Sequence, residues 1–367
     1  MAIKHMDRLD AHRIRSWLGV LAVTAVCTGT VLVPGAAASA VSKGPASTST
    51  TVSAGKSPST TQPPSTASTD ALGVYAGAGN LAGVKAFAAG SKQPVTYAMD
   101  FFNGATWTTI DHPQGILAAW FEKGYSMVWG VPMLPNKGGA SLAAGATGAY
   151  DQHFVTLARA MVAAGQGSSI IRMGWEFNGI WFPWGAKGHA SQFVAYWRHI
   201  VTAMRSVPGA HFTFEWNPSR GDLGVGNLAA FYPGNKYVDY IGLDVFDVEW
   251  QSYPGAKAEF ANIQTGPYGL NWLAAFSKQH NKPMVFPEWG LGWGQSHNGA
   301  ALTGSGAVGG GDNRVFITDM THWFATHRVF EATYWDFGSS SVAGSKNQSV
   351  RLAFARNAAP QARLAHQ

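Results

Sequence analysis

A chain of 367 residues can hold one large domain or two small ones, and with aromatic side chains at 13% it can bury a substantial core. Charged residues are scarce, also at 13%, and the net charge of +6 drops to +4 without the first forty residues, which carry four Lys or Arg against two Asp. No basic run interleaves with the aromatics, so nucleic acid is excluded as a partner and a neutral polymer fits better.

From the N-terminus, Arg13 and Arg15 precede an apolar stretch over 18–33 and then the small residues Gly35-Ala36-Ala37-Ala38-Ser39-Ala40. This is the pattern of a secretory signal peptide over residues 1–40, with cleavage after Ala40 and a secreted product. The apolar run is shorter than the ~20 residues of a spanning helix, and the long polar stretch ahead of it keeps an N-terminal anchor open as the alternative. The single cysteine, Cys27, lies inside this segment, so a cleaved chain has neither thiol chemistry nor a disulfide. Residues 41–70 are dominated by Ser, Thr, Pro, Ala and Gly, too little apolar surface to offset chain entropy, and read as an extracellular linker.

From residue 71 to 356 short β-type runs alternate with helical patterns. Eight strands are predicted, at 73–77, 95–99, 126–131, 168–174, 212–216, 237–243, 283–287 and 332–335. Helices are predicted over 115–123, 151–164, 192–207, 270–279 and 312–327, the clearest being 192–207, where Phe193, Trp197, Ile200, Val201 and Met204 recur on one face. The alternation implies an α/β fold, a (β/α)8 TIM barrel forming a single catalytic domain, which takes ~250 residues plus loop insertions. An open doubly wound sheet is the rival, but no strand is followed by a phosphate-type glycine fingerprint. Residues 357–367 read as a C-terminal tail.

The fourth and seventh predicted strands each lead into a glutamate, Glu176 and Glu288, and the whole chain has only seven glutamates. At the carboxyl ends of barrel strands both would face one shared mouth. Alternation puts Arg172, Gly174 and Glu176 on one face, and Met284, Phe286 and Glu288 on one face. Two carboxylates so presented suit a retaining glycosidase, in which one is an acid and the other a nucleophile.

The residues around them are specific. Arg172-Met173-Gly174-Trp175-Glu176-Phe177-Asn178-Gly179-Ile180-Trp181, with Trp184-Gly185 after it, resembles the acid/base signature of glycoside hydrolase family 26, mostly endo-β-mannanases of the (β/α)8 clan. Phe286-Pro287-Glu288-Trp289-Gly290 is similar to the family's nucleophile strand, and Tyr237-Val238-Asp239-Tyr240-Ile241-Gly242-Leu243-Asp244 to its strand six. The resemblance implies that Glu176 is the general acid/base and Glu288 the nucleophile of a secreted retaining endo-β-glycosidase acting on a β-linked polysaccharide. β-1,4-Mannan or a related glycan is the implied substrate; a glucan, a xylan or a microbial exopolysaccharide is the alternative, and a non-catalytic carbohydrate-binding barrel the rival of another class.

The apolar company of Trp175, Phe177 and Trp181 would raise the acid's pKa by desolvation, and Arg172 would balance the local charge. Candidate substrate contacts are Arg172, Trp175, Asn178, Trp181, Trp184, Trp335, Asp244, Phe246 and Trp129, with Trp181 and Trp335 as the stacking platforms and Trp184 held beside them. Glu215 reads as a supporting hydrogen-bond partner. Three departures from the family stand out: Trp175 where a His precedes the acid/base, Gly130 where a His follows the strand-three Trp, and Phe246 where a Tyr contacts the nucleophile.

No metal and no cofactor is expected. His153, His189, His199, His211, His280 and His297 are dispersed, and no G-x-S-x-G elbow is present. The glycine-rich run 304–311 reads as a loop without a phosphate-loop lysine. The expected partner is the polysaccharide substrate, with no membrane partner for the mature chain, which is expected to be a monomer.

Overall fold

The structure, a computed structural model, describes residues 71–249, 253–292, 310–342, 347, 349–351 and 353–354. The expected signal segment, linker and tail, His297 and most of the glycine-rich run lie outside the described residues. Nine parallel strands form one closed sheet: β1 (Ala71–Tyr75), β2 (Tyr97–Phe101), β3 (Ser126–Val131), β4 (Ile170–Met173), β5 (Thr213–Trp216), β6 (Tyr240–Gly242), β7 (Val245–Asp247), β8 (Met284–Leu291) and β9 (Val329–Trp335). β1 pairs with both β2 and β9, and β6 pairs with both β5 and β8, so the ring closes. β7 continues the place of β6 along the far end of β8, which leaves eight positions round the ring, the architecture of a (β/α)8 barrel.

Helices α1 (Leu81–Ser91), α2 (Trp107–Asp111), α3 (Gln114–Trp120), α4 (Leu142–Gly145), α5 (Asp151–Ala163), α6 (Ala190–Arg205), α7 (Ala256–Thr265), α8 (Leu270–His280) and α9 (Arg314–Thr326) lie between the strands. Among the described residues no helix is long and apolar enough to cross a membrane. α6 buries Phe193, Tyr196, Trp197, Ile200, Val201 and Met204, the apolar stripe read from sequence together with one tyrosine.

The period of two along each strand separates two cores. On β3, Met127, Trp129 and Val131 belong to the large core under the helices, while Val128 turns inside the ring to meet Met99 and Ile170. Tyr75, Tyr97, Phe101, Tyr240, Phe330 and Trp335 pack on that inner cluster, so the barrel is filled with aromatic side chains.

The boundaries differ from expectation in instructive places. β2 lies two residues beyond the predicted strand. Strand six is broken into β6 and β7 at Leu243-Asp244, and β8 runs through Pro287, which has no N–H to give the ladder, to Leu291; the pairing with β9 shifts register between Phe286 and Trp289 to accommodate it. α1, α2, α4 and α7 were not predicted: α1 is made of Gly and Ala as much as of large apolar residues, and it is fixed by Asn80, whose side chain caps Gly83 N–H at 2.9 Å.

Candidate active site

Arg172 forms the hub of the barrel mouth. It sits two residues after the inward-facing Ile170 on β4, so its fully buried guanidinium rises inside the ring. Nη1 donates to Glu288 Oε1 at 2.5 Å, Nη2 to Asp244 Oδ2 at 2.5 Å and Nε to Asn217 Oδ1 at 2.6 Å. Glu215, its neighbour in the β4–β5 register, places Oε1 3.7 Å from Nε. A buried cation persists only with such partners.

The break between β6 and β7 positions Asp244. Its Oδ1 accepts the backbone N–H of Glu288 at 3.0 Å and Asn217 Nδ2 at 3.2 Å, and its other oxygen holds Arg172. Glu288 on β8 is thereby gripped at its backbone and at its carboxylate. Burial pushes its carboxyl up, and the charge and hydrogen bond of Arg172 hold it back.

Glu176 reaches the mouth differently from expectation. β4 ends at Met173, and Gly174 (φ +54°) and Glu176 (φ +50°) both adopt left-handed backbone, so a tight turn rather than strand alternation aims the carboxyl. A glutamate in this region is strained, and its surroundings hold it: its N–H donates to Asn217 O at 2.8 Å, and Trp181 Nε1 donates to its Oε2 at 2.7 Å. Burial first, and then the negative charge of Glu288, push the carboxyl up to about 7; Arg172, Trp181 and Ser219 oppose them. The two candidate carboxyls are therefore near enough to act on each other and differ in their company: Glu288 has a cation in contact, and Glu176 has an indole N–H.

Of the other candidates, Arg172, Asp244, Trp181, Trp335 and Phe246 meet at this mouth. Arg172 and Asp244 have their bonding groups engaged inside the protein, which makes them supports of Glu288 rather than free sugar contacts. Trp335 is half-buried, with its ring 4.3 Å from Tyr75 and 6.3 Å from Phe246.

Three expectations need correction. Trp129 is fully buried on the helix side, its ring stacked 4.6 Å from Phe102, because Val128 and Gly130 take the inward positions. Trp184, 2% exposed, stacks 4.7 Å from Phe182 and donates to Trp175 O at 2.8 Å. Trp175, 7% exposed like Glu288, is not among them: its ring lies 5.1 Å from Phe101, 4.7 Å from Trp184 and 5.4 Å from Arg172 Cζ. Asn178 commits its whole amide to Ser219, donating to its O at 2.8 Å and accepting its N–H at 2.9 Å. In Trp129, Trp184 and Asn178 the residue type suits sugar binding and the fold has engaged it inside the protein, by packing or by hydrogen bonding.

Sequence reasoning missed Tyr75, Phe101 and Asn217. Tyr75 follows the inward Gly73 by two and lay inside the predicted first strand, so the period of two could have found it; Phe101 follows the inward Met99 by two but fell beyond the predicted second strand. Glu215 is fully buried, and among the described residues neither of its oxygens has a hydrogen-bond partner, so it is not the supporting hydrogen-bond partner expected. Burial pushes it up to about 8 against the pull of Arg172. Among the described residues no group of three or more His, Cys, Asp or Glu is arranged to hold a metal.

Residues 165–283 match the family model described as glycosyl hydrolase family 26; the match takes in Arg172, Glu176, Asn217 and Asp244 and stops short of Glu288. Endoglucanase H of Acetivibrio thermocellus is 27% identical over 157 residues, covering 34% of this chain and 17% of that protein. A mannan endo-1,4-beta-mannosidase of Bifidobacterium adolescentis is 31% identical over 120 residues, covering 31% of this chain and 11% of that protein. This chain thus spans less than a fifth of the length of either relative. In fold it is similar to a GH26 β-mannanase from Bacteroides ovatus (TM-score 0.51, 13% identity, covering 74% of this chain and 81% of that one) and to GH26C from a Muricauda species (0.53, 16%, 75% and 79%).

Proposed function

On the premise that this chain resembles glycosyl hydrolase family 26 over residues 165–283 and has a (β/α)8 barrel, we propose that it is a secreted, retaining endo-β-glycosidase. Its substrate in this reading is β-1,4-mannan or a related β-glycan; relatives named mannan endo-1,4-beta-mannosidase and Endoglucanase H keep both sugar configurations in view. The observation that carries the reading is the unlike pair at the mouth: Glu288 in contact with Arg172, and Glu176 pushed up to about 7.

The steps follow from that asymmetry. Glu288 attacks the anomeric carbon while the glycosidic oxygen leaves with the proton of Glu176, forming a glycosyl ester on Glu288. Glu176, now ionised, takes a proton from water, whose oxygen attacks the same carbon, breaks the ester and restores both carboxyls. Two inversions leave the configuration unchanged. Arg172 keeps Glu288 ionised and oriented, Asp244 fixes both, and Trp181 orients Glu176. Secretion rests on the N-terminal sequence pattern alone.

The test is the anomeric form of the first product, followed by proton NMR immediately after mixing with a β-glycan. A β reducing end appearing before mutarotation supports double displacement; an α product would overturn it.

A further inference from the structure

Among the described residues, Arg172, Asn217 and Asp244 beside Glu288 are bonded to one another and to Glu288. Arg172 commits Nε, Nη1 and Nη2 to Asn217, Glu288 and Asp244. Asn217 commits its amide nitrogen to Pro218 O and Asp244, and Asp244 also accepts the N–H of Glu288. What turns inward beside them from β1, β2 and β9 is ring surface: Tyr75, Phe101 and Trp335, joined by Phe246 on β7. On β3 the residue paired with Arg172 is Gly130, and a Cβ there would collide with the Phe101 ring. Phe101 thus occupies the space that a side chain on β3 would take, with Arg172 Cζ 5.7 Å from its ring centre.

Resting on the retaining-glycosidase reading above, we propose that the sugar held at Glu288 is recognised by stacking on this aromatic wall, and that the protein cleaves manno- and gluco-configured β-1,4-glycans with similar efficiency. The two sugars differ only in the orientation of the hydroxyl on carbon 2. That carbon is bonded directly to the anomeric carbon attacked by Glu288, so its hydroxyl lies next to Glu288 and the groups just described. A site built to hydrogen-bond a hydroxyl rejects the analogue lacking it by ~10⁴ or more, whereas an apolar pocket separates substrates that differ by a whole methylene or hydroxyl by only ~10–200; epimers carry the same groups and should be separated by less on such a surface. The one phenol on the wall is Tyr75; burial, with the charges of Asp100 and Glu288, pushes its hydroxyl up and keeps it a donor.

The experiment compares kcat/KM for an aryl β-mannotrioside and an aryl β-cellotrioside with the same leaving group. A ratio within about tenfold in either direction supports the proposal, and a larger one overturns it. Hydrolysis of neither, nor of any β-glycan, would instead reject the glycosidase reading itself and this inference with it. Two variants probe the wall. Phe101→Leu should lower kcat/KM on both substrates by about tenfold and leave their ratio unmoved, since it removes stacking surface common to both. Tyr75→Phe keeps the ring and should also leave the ratio unmoved. A change of ratio beyond about tenfold in either variant would show that carbon 2 is read here after all.

Discussion

Arg172 is one guanidinium acting on Glu176, Glu215, Asp244 and Glu288, all gathered inside the ring. Removing it while leaving the carboxyls buried is costly, so Arg172→Met should destabilise the fold by about 3–5 kcal/mol, read from urea denaturation. Arg172→Lys should retain part of that stability and lose most activity, because an ammonium cannot hold Glu288, Asp244 and Asn217 in one plane. For the carboxyls themselves, Glu288→Ala should abolish turnover on every substrate. Glu176→Ala should keep more activity where the leaving group needs no protonation. Added azide should then give a β-glycosyl azide with Glu176→Ala and the α-anomer with Glu288→Ala; the reverse would mean that the roles are exchanged. In the proposed mechanism Glu176 must carry its proton to act as the acid, so kcat/KM on natural glycans should fall as pH rises through about 7. The same limb should vanish for an aryl glycoside with a good leaving group.

At the scale of elements, two interruptions of regular structure make the site. A continuous strand six would send Asp244 along the ladder, and the break at Leu243-Asp244 instead turns it toward Glu288 and Arg172. The left-handed turn after β4 does the same for Glu176. Away from the mouth the elements rely on close packing. Gly145, at the end of α4, lies flat against Tyr196 of α6, and a Cβ there would stand 2.5 Å from the ring. Tyr196 is itself tied by its hydroxyl to Met133 O at 2.5 Å, so the ring has little freedom to retreat. Gly145→Ala should therefore lose about 1–3 kcal/mol of stability while activity per folded molecule stays unchanged, measured by denaturation alongside active-site titration.

For the whole molecule, the barrel interior sets how stability responds to pH. Glu215 rises from its ordinary 4.5 to about 8 through burial, and Glu331, whose Oε1 accepts the Thr333 hydroxyl, is also pushed well up by burial. A carboxyl raised in the folded state contributes stability that is fully present below its unfolded pKa and is lost as pH rises toward its folded pKa. From pH 4.5 toward 8 these groups should therefore erode stability. Glu215→Gln, which cannot ionise, should gain in Tm over the parent across that window and show no gain below it. A Tm difference independent of pH would show that Glu215 is already ionised in the fold.

Sequence by itself determined the barrel, because alternating short apolar runs and amphipathic stretches leave few other ways to bury both faces of a parallel sheet. The motif around Glu176 and the strand leading to Glu288 were legible too, since a few glutamates in aromatic company stand out in a chain so poor in charge. Only the tertiary structure decided which aromatics face the mouth. Trp129 and Phe101 look alike in sequence, and the phase of each strand sends one ring to the helices and the other to the site. It also decided that Asn178 and Asp244 serve the protein's own backbone and arginine, since whether a polar group is free depends on what the fold brings beside it.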